Sequence, residues 1–269
     1  MIDIERVIGI AEAAGEEILG VYNSPDFNVE TKGDGSPLTL ADRRAHQRIV
    51  AGLGELTPDI PVLSEESGKE VFSQRLQWHR FWMVDPLDGT KEFIRRNGEF
   101  TVNIALIDNR RPVAGVVHTP VQGVTHFAAP ETAAFRRENG SDTAIGVRAL
   151  DPADAVMVAS RSHAGAAVQQ YRQNLESQVA GVSLASMGSS LKICLVAEGK
   201  ADIYPRLGPT SEWDTAAAHC VLESAGGSVV RLDGTPLIYN KENILNPWFL
   251  ACGDPKFDWC ALAAEIEEG

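Results

Sequence analysis

No apolar run in the 269-residue chain approaches the roughly 18–20 residues of a membrane-spanning helix. The N-terminus, MIDIERVIGIAEAAGEE, has early acids in place of a basic region, and no leader-type apolar core or cleavage site follows. Cytoplasmic residence is therefore expected, with peripheral attachment to the cytoplasmic face of the inner membrane left open. Cysteine is scarce. Cys194, Cys220, Cys252 and Cys260 show no CxxC or other metal-ligand spacing, which excludes a zinc-ribbon reading and points to reduced thiols. Basic charge is also in deficit, with 24 Lys and Arg against 37 Asp and Glu, a formal net charge of -13. Such a surface repels polyanions and argues against a nucleic-acid partner. A small anionic substrate stays compatible if divalent cations stand between protein and phosphate. Repeats and low-complexity segments are absent, and Asn139-Gly140-Ser141, formally a glycosylation sequon, reads as a turn.

What is present is an ordinary globular composition, 44% hydrophobic and 23% charged, long enough for one large domain or two intimate ones. Ile4, Val7, Ile8, Ala11, Ile18 and Leu19 fall at helical spacing and predict a first helix over residues 3–22. A turn-rich segment follows, with a short strand at 27–31, then a helix from Leu40 to about Leu53. Strands are expected at 60–63, 81–84, 101–107, 113–118, 124–129 and 132–136, with a turn over Asn109-Arg110-Arg111-Pro112. Asp151-Pro152 is the best candidate boundary. It divides an α+β half, 1–150, from an α/β half, 151–269, in which strands at 155–159, 182–185, 201–204, 228–232 and 249–252 alternate with helices at 164–176, 189–198 and 215–225. A C-terminal helix is expected from about Phe257.

The stretch Phe81-Trp82-Met83-Val84-Asp85-Pro86-Leu87-Asp88-Gly89-Thr90 carries the chemistry. An apolar strand ends on Asp85, and the C-terminal edge of a sheet is where α/β folds place ligands. Pro86 stiffens the turn, and Gly89 permits close backbone approach. Two carboxylates this close repel one another unless a cation neutralises them, and oxygen-only donors select Mg²⁺ or Mn²⁺ over zinc. Asp85, the Leu87 carbonyl and Asp88 thus form a candidate metal cradle. The competing reading of any single acid is a solvated surface charge. For Asp214, at the start of a predicted helix, it is a plain N-cap.

The motif Asp85-Pro86-Leu87-Asp88-Gly89-Thr90 resembles the signature of the inositol monophosphatase superfamily of Mg²⁺-dependent, lithium-sensitive phosphatases. Leu63-Ser64-Glu65-Glu66 upstream, and Trp213-Asp214-Thr215-Ala216-Ala217 and Glu223-Ser224-Ala225-Gly226-Gly227 downstream, are similar to its other motifs in the same order. Lys91-Glu92-Phe93, Asn97 to Asn103, Ser160-Arg161-Ser162-His163, Gly188 to Lys192, Leu195 to Gly199 and Tyr204-Pro205-Arg206 resemble the 3'(2'),5'-bisphosphate nucleotidases of CysQ type. The resemblance covers essentially the whole chain.

It implies a layered αβαβα sandwich with the site at the junction of the halves. It also implies two or three Mg²⁺ ions, with Mn²⁺ as a substitute, held by Glu65, Asp85, the Leu87 carbonyl, Asp88 and Asp214. Asp42 would hydrogen-bond Thr90, and Thr90 would orient or deprotonate the attacking water. The substrate would meet Glu65, Leu87, Asp88, Gly89, Thr90 and Asp214 at the cleaved phosphate. Ser189, Lys192 and Arg206 would hold the retained phosphate, and His163 the nucleoside. The implied reaction is removal of the 3'-phosphate of adenosine 3',5'-bisphosphate, with 3'-phosphoadenosine 5'-phosphosulfate as a further substrate linked to sulfate assimilation. Two alternatives stand beside it: an inositol or sugar phosphatase of the same fold, and a non-catalytic nucleotide-binding regulator on a retired enzyme scaffold. None of the implied metal-ligand positions has lost its carboxylate, which disfavours the last.

Overall fold

The computed structural model describes residues 2–24, 30–31, 37–38, 40–130, 132–159 and 165–266. The first helix, α1 (Ile4–Tyr22), starts where the Asp3 carboxylate accepts the Arg6 N–H at 3.2 Å, an N-cap in extended conformation. Its stripe Val7, Ile8, Ala11 and Ile18 is buried. After a two-stranded ribbon, β1 (Glu30–Thr31) with β2 (Pro37–Leu38), α2 (Leu40–Leu56) buries Ala45, Ile49 and Leu53. The expected strand at 27–31 lies partly outside the described residues.

Seven strands follow and pair in chain order: β3 (Val62–Ser64), β4 (Arg80–Asp88), β5 (Thr101–Asp108), β6 (Arg111–Thr119), β7 (Val124–Ala128), β8 (Ala134–Glu138) and β9 (Ser141–Ile145). Only the β3–β4 pairing is parallel. A short helix α3 (Lys69–Gln74) and a 3-10 turn, Arg75–Gln77, precede β4, and α4 (Thr90–Ile94) follows it. The second sheet is built from β10 (Ala155–Ala159), β11 (Val182–Ser186), β12 (Ile203–Arg206), β13 (Ser228–Arg231) and β14 (Phe249–Cys252), in the order β11-β10-β12-β14-β13. Its helices are α5 (Ala166–Gln178), α6 (Leu191–Ala197) and α7 (Ala216–Ser224).

Strand alternation stacks these pieces. In β4, Trp82 and Val84 face α1 and α2, whereas Phe81 and Met83 join a core shared with α6, α7 and the second sheet. Met157, Ile203 and Leu250 carry the other face of the second sheet against Tyr171 and Leu175 of α5. The layers run α1/α2, first sheet, α6/α7, second sheet, α5: the αβαβα sandwich.

Several local expectations differ from the structure. The turn at 109–112 is only Asn109-Arg110, both at positive φ, and Arg111 and Pro112 already belong to β6. β9 was not expected, because its exposed sequence Ser-Asp-Thr-Ala-Ile has no apolar alternation. Asn139 and Gly140, both left-handed, make the tight hairpin that pairs it with β8. Among the described residues the C-terminal helix reduces to a 3-10 turn, Ala261–Ala263. Side-chain-to-backbone bonds hold this segment down instead, from Tyr171 Oη to Trp259 O (3.0 Å) and from Trp259 Nε1 to Asp254 O (2.9 Å).

Candidate metal and phosphate site

Alternation along β4 puts Asp85 on the same face as Phe81 and Met83, in the C-terminal half of the strand, which runs on to Asp88 rather than stopping at Val84, and there it is 1% exposed. One carboxylate oxygen accepts the Leu87 N–H at 3.0 Å, which tightens the turn through Pro86. The pairing with β5 slips between Asp85 and Asp88, a bulge that brings Asp88 round beside it. Gly89 then adopts φ 93°, a conformation that favours glycine, and hands the chain to α4 with Thr90 as its first residue. Asp214 arrives from the second half. It ends a 3-10 turn, Glu212–Asp214, rather than opening a helix as expected, and its Oδ2 accepts the Ser211 N–H at 2.9 Å in a capping box.

Asp85, Asp88 and Asp214 bring carboxylate oxygens within 4.8 Å of one another. The electrostatics are those of crowded acids, Asp85 buried and Asp88 and Asp214 partly so. Burial first, then the charges of Glu65, Asp88 and Asp214, push Asp85 well above the ordinary carboxylate range. Burial lifts Asp88 to about 6, offset by Lys192 and by the Ser190 amide. Burial and Asp88 lift Asp214 to about 8. Only oxygen donors converge here, and their mutual repulsion is relieved by a hard divalent cation, so the donor set fits Mg²⁺ or Mn²⁺ chemistry. Glu65, half-buried, follows β3, and its N–H donates to Val84 O at 3.0 Å, extending the β3–β4 pairing to the edge of the cluster.

A polar network absent from the expectations supports Asp88. Its Oδ2 accepts the Ser190 N–H at 2.6 Å and the Asn103 amide at 3.4 Å. Ser190 Oγ donates to Asn103 Oδ1 at 2.9 Å and shares a 2.9 Å bond with Thr101 Oγ1. Thr101, Asn103 and Ser190 are all buried. The sequence signal was an asparagine on the inner face of the apolar strand TVNIALI, where an unpaired amide is costly.

The 187–190 loop borders a cavity of about 340 Å³ lined by Asp88, Glu92, Ser189, Lys192, Arg206 and Asp214, among others. Glu99 fastens the loop by accepting the Gly188 N–H at 2.8 Å. Lys192 is not a free surface cation. It is 7% exposed, its Nζ donates to Ser189 O (2.7 Å) and Met187 O (3.4 Å), and burial lowers its pKa to about 8. Ser189, at φ 48°, has a buried hydroxyl with no hydrogen-bond partner, and Arg206 Nε is likewise buried and unpartnered. Unmet polar atoms in a cavity wall suit a hydrogen-bonding ligand.

Asp42 is buried in the first turn of α2, and Thr90 is half-buried outside the cavity lining. His163, with the rest of Ser160-Arg161-Ser162, lies outside the described residues. A larger cavity of about 980 Å³, lined by Leu237, Leu245 and Trp248 among others, meets the first at Pro209 but contains no carboxylate.

An αβαβα sandwich with acidic oxygens gathered near the end of a sheet strand fits a phosphatase of the metal-using kind. The chain belongs to the inositol monophosphatase family, whose sequence profile matches residues 3–254. It is 50% identical to the 3'(2'),5'-bisphosphate nucleotidase CysQ of Escherichia coli K12 over 250 residues, 91% of this chain and 98% of that protein. Identity to the Haemophilus influenzae CysQ is 35%, over 96% of each chain. The crystal structure of CysQ from Bacteroides thetaiotaomicron superposes with a TM-score of 0.82 at 44% identity, covering 94% of this chain and 97% of that one.

Proposed function

We propose that this chain is a Mg²⁺-dependent 3'(2'),5'-bisphosphate nucleotidase that converts adenosine 3',5'-bisphosphate to AMP and phosphate. 3'-Phosphoadenosine 5'-phosphosulfate would be a second substrate. The observation that carries this reading is the junction of three converging carboxylates with a cavity that also holds Lys192 and Arg206. One wall suits cations facing the phosphate to be cleaved, the other a phosphate to be retained. Similarity to proteins named as CysQ nucleotidases supports the substrate.

Glu65, Asp85, the Leu87 carbonyl, Asp88 and Asp214 would hold the cations. When bound, these lower the pKa of water and stabilise charge on the phosphoryl and leaving oxygens. Asp42 and Thr90 position the water. Burial of Asp85 and the network on Asp88 keep the carboxylates fixed, so no reorganisation is needed as charge develops. The Arg206 Nε and Ser189 Oγ offer their unmet hydrogen-bonding capacity to the retained phosphate, and Lys192 places positive charge beneath the loop. His163 is proposed to meet the nucleoside.

Phosphate release from a panel tests the reading. Adenosine 3',5'-bisphosphate should be preferred over inositol 1-phosphate and over AMP, with activity lost in EDTA and restored by Mg²⁺. Preference for inositol 1-phosphate would overturn the nucleotidase assignment.

A further inference from the structure

The acids that crowd the site come from two distant parts of the chain. Asp85 and Asp88 end β4, and Asp214 ends a 3-10 turn of the second half. Their mutual repulsion tends to open the gap, so the turn needs an anchor. Glu212, two residues before Asp214, is fully buried. Its Oε2 accepts the Asn240 N–H at 2.6 Å, and its Oε1 accepts the Lys241 N–H at 2.9 Å and Lys241 Nζ at 2.5 Å. The Glu212 N–H donates to Ile244 O at 3.0 Å, and the Asn246 amide donates to Ser211 O at 2.8 Å. A strap, residues 238–246, therefore grips the turn that presents Asp214.

The strap is held in turn by Arg75. The guanidinium donates to Lys241 O (2.7 Å), Glu242 O (2.8 Å) and Asn240 Oδ1 (3.0 Å), and the Asn240 amide returns to Arg75 O (2.9 Å) and Trp78 O (3.1 Å). Arg75 opens the 3-10 turn that leads into β4 and so to Asp85 and Asp88. A hydrogen-bonded path thus runs from the turn that presents Asp214, through the strap, to the segment that leads into β4, and the strand itself carries the connection on to Asp85 and Asp88. The strap meets the cavity wall through Asn246, whose side-chain amide donates to Thr210 Oγ1 and Thr215 Oγ1 at 3.2 Å each.

We infer that Glu212, Lys241 and Arg75 are positioning residues that set the distance between Asp214 and the Asp85–Asp88 pair, and thereby the affinity for divalent cations. The inference rests on the metal reading above. Replacing Glu212 by glutamine keeps its shape but leaves one of the two strap amides without its acceptor. Lys241 then loses its counter-charge in a half-buried setting. Groups that orient metal ligands are typically worth about 10–100-fold in metal affinity.

Mg²⁺ and Mn²⁺ binding is measured by calorimetry on the full chain, beside thermal unfolding in EDTA, for wild type, E212Q, K241M, R75K and D214N. E212Q and K241M should bind each cation about 10–100-fold more weakly while remaining folded in EDTA. R75K, which keeps charge but loses the planar fork, should weaken binding less. If E212Q does not fold, K241M and R75K carry the test. Wild-type cation affinity in folded E212Q and K241M, with only the EDTA melting temperature lowered, would reduce the link to a structural brace and overturn the proposal. D214N separates the two readings. Loss of binding in D214N with normal binding in E212Q and K241M defeats the positioning role alone, and normal binding in D214N defeats the metal assignment itself.

Discussion

Asp85 and Asp88 show what crowding and burial do to two neighbouring ionisable side chains. Both are pushed toward the neutral form, burial first and neighbouring acids second for Asp85, so cations and amide donors must supply the charge balance. Asp88→Asn keeps the shape and removes the charge. Phosphate release at saturating Mg²⁺ should fall about 10²–10³-fold with the fold unchanged by circular dichroism; retention of wild-type turnover would exclude Asp88 from the mechanism. A second residue-scale prediction concerns the face of the first sheet that packs on α1, where the His118 ring lies against Gly15. His118 is buried beside Thr125, 2.9 Å from Nδ1 to Oγ1, and burial lowers its pKa from 6.5 to about 4. The unfolded chain therefore binds the extra proton first. Stability from this residue is complete above about pH 6.5 and declines as pH falls from 6.5 toward 4, reaching about 2 kcal/mol lost by pH 5. Urea denaturation at pH 7 and pH 5 should show that extra loss in wild type relative to His118→Gln. Equal losses would mean that the histidine is not held neutral. The Asp85–Thr90 motif was legible because its residues act through local spacing. Glu212 and Lys241 were not, since a charge in a loop gives no sign that folding will bury it.

At the scale of elements, the position of α7 decides where Asp214 lands. The helix lies across the inner face of the first sheet, and Gly115 of β6 packs directly against it. A Cβ there would collide with the Ala217 carbonyl and stand 2.9 Å from Cys220 Cβ. Backbone cannot yield as a flexible side chain does. Gly115→Ala should cost about 1–3 kcal/mol of stability by chemical denaturation, and an unchanged midpoint would show that α7 shifts freely. The major strands and the long helices were readable because each has a strong apolar period. β9 was not, being an exposed edge strand held by a hairpin rather than by burial. The C-terminal segment was over-read as helix because Trp259, Leu262 and Ala263 are buried at helical spacing, a pattern that a 3-10 turn also satisfies.

For the whole molecule, the central layer matters most. α6 and α7 bury residues against both sheets in one continuous core, so the two halves should unfold together. Scanning calorimetry should show one transition that Mg²⁺ raises. Occupancy at ten times the dissociation constant adds about 1.4 kcal/mol. Two separated transitions, or no response to Mg²⁺, would contradict a shared core or a cation-filled gap. The sequence by itself determined the family, the strand that carries Asp85, and the acids on offer, because ordered short motifs and hydrophobic period are local properties. Only the tertiary structure decided which acids meet. It also turned Lys192 inward beneath a loop and joined Arg75 to Lys241 across 166 positions. Convergence of groups remote in the chain depends on how the layers stack, and layer stacking is set by the summed packing of whole faces rather than by any single stretch of residues.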